Sequence, residues 1–137
     1  MKEQLITFDT AKLAKEKGFD IKVETFYMGD SEDNFLHNAG KKDNWNNHKC
    51  IFNESELSGD YSAPTQSLLQ KWLRDKHKIS VAVFSFSQES WTVKVNTPSI
   101  FGVYFNVEQR HYREKGFCTY EEALEKGLKE ALRLIKK

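Results

Sequence analysis

The stretch Ile79–Val107, ISVAVFSFSQESWTVKVNTPSIFGVYFNV, carries strand-period alternation through three consecutive segments. Trp91, Val93 and Val95 alternate with Thr92, Lys94 and Asn96; Phe101, Val103, Phe105 and Val107 alternate with Gly102, Tyr104, Asn106 and Glu108. A period of two sets each apolar series on one face of a sheet. Thr97, Pro98 and Ser99 separate these two runs, and proline fixes φ and removes a ladder donor, so the pair reads as a hairpin. Ile79–Phe86 precedes it as a third strand, set off by Ser87, Gln88, Glu89 and Ser90.

Helical patterns flank this meander. Ser62–His77 carries Leu68, Leu69, Trp72 and Leu73 as one apolar stripe. Ser62 suits the cap and Pro64 the first turn, and Lys71, Arg74, Lys76 and Lys78 crowd the C-terminal end, where cations complement the helix dipole. The closing helix starts at Thr119, with Glu122 completing a capping box. Tyr120, Leu124, Gly127, Leu128, Ala131 and Ile135 form its apolar face, and Glu121, Glu125, Lys129, Arg133 and Lys136 point to water. Glu125 and Lys129 also form a favourable i, i+4 pair.

Earlier in the chain, Thr7 or Asp9 caps a short helix over Phe8–Lys17, stopped by Gly18 and Phe19. Ile21–Met28 reads as a strand. From Gly29 to Asp60 the periodicity fades among Gly, Asn, Asp and Lys, which predicts an irregular segment, with Lys49–Phe52 a strand returning beside Ile21–Met28. The expected fold is α+β, an antiparallel sheet with helices packed on one face, in the order α-β-(β)-α-β-β-β-α. At 137 residues, 39% of them hydrophobic, the chain fits a single domain over 1–137.

Charge narrows the function classes. Lysine and arginine number 21 against 20 acidic residues, a net of +1, so the balance favours neither an anionic membrane nor nucleic acid. Cys50 and Cys118 lie outside any CxxC spacing; the alternatives are one long-range disulfide and two free thiols, and a chain this well supplied with core residues fits free thiols of a reducing compartment better. With no apolar run of signal or membrane-spanning length, a cytoplasmic protein is expected.

YSAPTQSLLQKWLRDKH at Tyr61–His77, with the opening KEQLITFDTAKLAKEKGFD and the closing FCTYEEALEKGLKEAL, resembles a family of small uncharacterised proteins. Gut-bacterial genomes and their prophages or mobile elements encode that family, and the resemblance implies no catalytic residues. From Ser62 onward the order helix, three strands, helix is similar to a double-stranded-RNA-binding domain. That family contacts phosphates partly through lysines at the start of its last helix. Tyr120, Glu121 and Glu122 occupy that place here, and carboxylates repel phosphate. Three strands followed by TYEEALEKGLKEAL are also similar to the end of antitoxin domains of the HicB type.

Three groups are candidate sites. His37, His48 and Cys50, with Asp43, carry metal-ligating atoms, but only His48 and Cys50 stand close, so no metal is expected. Arg110, His111, Tyr112, Arg113 and Lys115 form a basic, aromatic run leading into the last helix, where an anion or an acidic partner would fit. Phe84, Phe86 and Tyr104 fall on the sheet face opposite the valine core, where aromatics anchor a partner or stack on bases. There is no GxSxG, P-loop, GxGxxG or HExxH, so no catalytic residues and no cofactor are expected. Surplus aromatics, Phe84, Phe86, Tyr104, Tyr112 and Trp45, point to a non-enzymatic accessory protein that binds another protein or a second copy of itself. Nucleic-acid binding through Lys71, Arg74, Lys76, Lys78, Arg110 and Arg113 is the alternative.

Overall fold

The valine alternation of the meander becomes cross-strand pairs. In the computed structural model, which describes residues 3–28, 36–47, 49–53, 56–87, 90–97, 103–105 and 119–135 (the backbone alone at 49–53, 56–59, 86, 87 and 103–105), Val81 stands opposite Val95 and Val83 opposite Val93. The strands are β5 (Ser80–Ser87), β6 (Ser90–Asn96) and β7 (Val103–Phe105), an antiparallel sheet in the order β5-β6-β7. They follow β1 (Val23–Met28), β2 (Leu36–Asp43), β3 (Lys49–Asn53) and β4 (Glu56–Ser62), a second antiparallel sheet in the order β2-β1-β4-β3. Helices α1 (Phe8–Glu16), α2 (Gln66–His77) and α3 (Tyr120–Arg133) complete an α+β chain with two sheets in place of one. Its contacts form two compact units, Leu5–Thr65, and Met1–Gln4 with Gln66–Lys137. No helix among the described residues is long and apolar enough to cross a membrane.

In the unit Leu5–Thr65, α1 begins where expected: Thr7 accepts a hydrogen bond from the Thr10 amide. Its end is a Schellman turn. Gly18, at φ +91°, donates to Lys15 O, and Phe19 N donates to Ala14 O, which buries the Phe19 ring. The β1–β4 register pairs Tyr27 with Tyr61, and the Phe8 ring of α1 meets both edge-on at 5.6 and 5.4 Å. Phe26, one residue along β1, faces the other way. There His37, its register partner on β2, and Trp45 stack against it. Trp45 opens a one-turn 3₁₀ helix, Trp45–Asn47, is 6% exposed, and donates Nε1–H to Val23 O at 2.7 Å.

The segment expected to be irregular therefore holds β2, β3 and most of β4, and β3 lies beside β4 rather than β1. Asparagine and aspartate side chains organise part of it locally. Asn46 donates Nδ2–H to Phe19 O and accepts from Ser62 N, both at 2.9 Å, while Asp43 and Asn44 accept amides in the approach to the turn. Ser62, expected as a helix cap, ends β4 instead, and α2 starts four residues later.

In the other unit, α2 buries Leu69, Trp72 and Leu73, and α3 buries Ala123, Leu124, Leu128, Ala131 and Leu132. Thr119 caps α3 by accepting the Glu122 amide at 3.1 Å. Gly127 lies directly over the sheet: a Cβ there would fall inside van der Waals distance of methyls of Val93 and Val81. The α3 backbone thus rests on the Val81, Val93 and Val95 face, and all three valines are buried.

Candidate functional site

What α3 leaves uncovered follows from strand alternation. Ala82 pairs with Lys94 and Phe84 with Thr92, on the face opposite the valine core, and Tyr104 stands across from Lys94 in the β6–β7 register. Thr92 is buried and Ala82 and Lys94 are half-buried, while Phe84 is 46% exposed. Phe86 and Tyr104 keep their strand positions, and their side chains lie outside the described ones.

Phe84 also sits on an edge. In the described sheet β5 pairs on one side only, with β6. Near the start of the strand Gln70 of α2 donates Nε2–H to Val81 O, so a side chain occupies that edge carbonyl. Three residues on, the strand presents an exposed aromatic. An edge strand with a neighbouring apolar side chain is the arrangement to which an extended peptide adds by main-chain pairing.

The basic residues of α2 are on the surface: Lys71, Arg74, Lys76 and Lys78 are all exposed. Lys71 and Arg74, at i and i+3, share one side of the helix, while Lys78 lies just past its end with φ +59°. At the start of α3, Glu122 is exposed and Glu121 half-buried, which keeps carboxylates where the RNA-binding likeness requires lysines. Arg110, His111 and Arg113, with Tyr112 and Lys115, lie outside the described residues.

Other expected sites are absorbed by the fold. Trp45, counted among the surplus aromatics, is part of the core of its unit. His37 stacks on Phe26 at 5.4 Å, and Asp43 accepts the Asn44 amide; His48 and the Cys50 side chain are outside the described residues, as is Cys118. His77 closes α2 edge-on to Trp72, and its pKa lies below the ordinary imidazole value because of partial burial and, secondly, the neighbouring Lys76 charge.

Glu125, expected in water, is 9% exposed and accepts a hydrogen bond from Nε2 of the buried Gln66 at 3.0 Å. The same Nε2 donates to Glu121 O at 2.9 Å, joining the first turns of α2 and α3. The signal was present: Gln66 precedes Leu69 and Leu73 by three and seven residues, as Glu125 precedes Leu128 and Leu132. One polar residue thus sits on each of two apolar stripes. Above this pair lies a cleft of about 250 Å³ lined by Glu3, Gln4, Gln66, Ser67, Gln70, Tyr120, Glu121 and Leu124. Tyr120, placed by periodicity on the apolar face, is 41% exposed and meets Trp91 edge-on at 5.6 Å.

No protein family, curated protein or solved structure matches this chain.

Proposed function

We propose that the protein is a small non-enzymatic, cytoplasmic accessory factor of phage or mobile-element type that works by binding another protein through the β5 edge and its open face. The observation that carries this reading is Phe84, a large aromatic 46% exposed on an edge strand whose opposite face is filled by valines under α3. Pairing along β5 would supply backbone hydrogen bonds and Phe84 the apolar anchor. A second copy of the chain is one candidate partner.

The test compares wild type with Phe84→Asp in pull-downs from host-cell lysate, with nuclease and at high salt, alongside light scattering of each protein alone. Losing the half-buried ring and placing Asp in a strand costs about 1–2 kcal/mol, so circular dichroism of the variant checks first that the fold is kept. Wild type retains a protein partner, or forms a dimer, and Phe84→Asp loses it. Equal capture and equal mass for the two proteins would refute the reading.

Nucleic-acid binding is the second reading, favoured by the exposed cations Lys71, Arg74, Lys76 and Lys78 in and just after α2, within a unit of order α-β-β-β-α, and opposed by Glu121 and Glu122. It requires affinity that falls steeply with salt, by roughly one logarithmic unit per tenfold salt for each phosphate contacted. Binding that ignores salt would exclude it.

A further inference from the structure

Resting on the β5 reading above, we infer that the segment docked on that edge is extended and acidic and belongs to another protein. The hydrogen bond from Gln70 shows which way the main-chain groups of β5 point. Its Nε2–H reaches Val81 O from α2, so Val81 turns its carbonyl away from β6, and strand alternation turns the N–H and C=O of Val83 the same way. Neither group of Val83 has a hydrogen-bond partner among the described residues. An antiparallel strand added there exchanges two hydrogen bonds with Val83 and places its preceding residue opposite Phe84, on the open face. At Val81 the edge carbonyl is already taken, so pairing stops and the segment passes on beside α2.

The charges along α2 decide what that segment carries. Arg74 follows Gln70 by four residues and shares the side of α2 turned to the edge, and Lys71 is next to Gln70. Both are exposed, and neither forms an ion pair among the described residues. Residues 71–78 hold four cations, Lys71, Arg74, Lys76 and Lys78, against the one carboxylate of Asp75, a net of +3 (4 − 1) with His77 neutral. Ser67, three residues before Gln70 on the same side, donates to the Glu3 carboxylate at 2.8 Å. Ile79 N bonds Leu73 O and Val81 O bonds Gln70, so the strand advances as the helix is retraced. The flank of the edge is therefore positive beside the start of β5 and negative farther along it. An antiparallel partner enters past Glu3 and leaves past Lys71 and Arg74, which puts its acidic residues about three or four positions after the one on Phe84. A second copy matches this poorly, because β5 itself, SVAVFSFS, carries no carboxylate. Nucleic acid has no peptide groups to exchange with Val83.

The test is an amide NMR titration of the full ¹⁵N-labelled chain with short acetylated and amidated peptides of alternating valine and threonine: one closed by glutamates, one opened by glutamates and one closed by lysines. The peptide closed by glutamates should give saturable shifts at Val83, Phe84, Lys71 and Arg74 with a Kd of about 0.1–1 mM, the range a short contact supplies. At low salt it should bind about tenfold more tightly than the lysine peptide, as each exposed ion pair is worth up to about fivefold. That lead should vanish near about 1 M salt, where the Debye length is about 3 Å. Arg74→Glu should cancel the preference and the neutral change Lys71→Gln should reduce it, while Phe84→Asp weakens all the peptides alike. Equal binding of the three peptides, a preference unchanged in both α2 variants, or no saturable shift at Val83 and Phe84 would overturn the acidic partner. So would a dimer in light scattering that the glutamate peptide does not dissociate, which assigns the edge to a second copy. The β5 reading fails on a different result, equal capture from lysate by wild type and Phe84→Asp.

Discussion

Replacing Gly127 by alanine sets two known effects against each other. In an exposed helix interior the change stabilises by about 1 kcal/mol. Here the new methyl would meet Val81 Cγ1 at 2.8 Å and Val93 Cγ2 closer still, on two neighbouring strands. Both valines are buried, at 4% and 0% exposure, and β-branched side chains have little χ1 freedom with which to yield. The helix must lift from the sheet, and overpacking of this kind costs about 1–3 kcal/mol, with two methyls placing it in the upper half. The net expectation is a loss of about 1–2 kcal/mol, or roughly 4–8 °C in the melting temperature. Urea and thermal unfolding followed by circular dichroism measure it directly. Gly127→Ala combined with Val93→Ala should be more stable than the sum of the two single changes by at least about 0.5 kcal/mol, because the second removes what the first strikes. A Gly127→Ala protein more stable than wild type would show that α3 does not rest on the valine face as described.

Two further outcomes test the polar and titrating groups. Gln66→Ala removes the donor shared by Glu125 Oε1 and Glu121 O and should cost about 1–3 kcal/mol in urea unfolding; Gln66→Leu with Glu125→Leu should recover most of that, and a double variant no better than the single would refute the pairing. His77 has a lowered folded-state pKa, so the folded protein favours the neutral ring: its contribution is complete above the unfolded value of about 6.5 and declines as pH falls through the lowered folded value. An imidazole NMR titration midpoint below about 6.5 is expected, with a shallower loss of stability below that pH in His77→Phe, which keeps a ring against Trp72; a midpoint at or above 6.5 would contradict the burial that causes it.

Periodicity made the meander and both flanking helices legible because each of these elements buries one face, and burial writes its period into the chain. Thr7, Gly18 and Thr119 were readable for a different reason, as each does its work within its own turn. Of the strands between Met28 and Ser62 only β3 was read, as Lys49–Phe52, and β2 and β4 were not. Residues 36–41 of β2 are exposed except for His37, so no buried stripe marks that strand, and asparagine and aspartate side chains, which usually announce loops, here hold Trp45–Asn47 against Phe19 and Ser62. Alternation alone placed Phe84 on the face opposite the valines, and its exposure came from the structure. The cleft was not, because it is made by residues 3, 66 and 121, and only the fold brings those together.

The unit Leu5–Thr65 begins and ends at one point: Leu5 bridges Thr65, and Ile6 N donates to Pro64 O at 3.0 Å. One residue outward, Gln66 N donates to Gln4 O at 2.9 Å, and this bond tethers Glu3 and Gln4 to the start of α2. Gln4 and Gln66 are 62 positions apart (66 − 4), and closing a free loop of that length carries an entropy cost of about 3–4 kcal/mol. Once Leu5–Thr65 has folded, its paired ends already hold those two residues side by side, and most of that cost has been met by the inner unit. The N-terminal lip of the cleft is thus a dependent of a fold completed elsewhere in the chain: conditions that melt Leu5–Thr65 while leaving α2, α3 and their sheet intact should release Glu3 from Ser67, and an amide-exchange experiment under mild denaturant that finds the two events uncoupled would break this link.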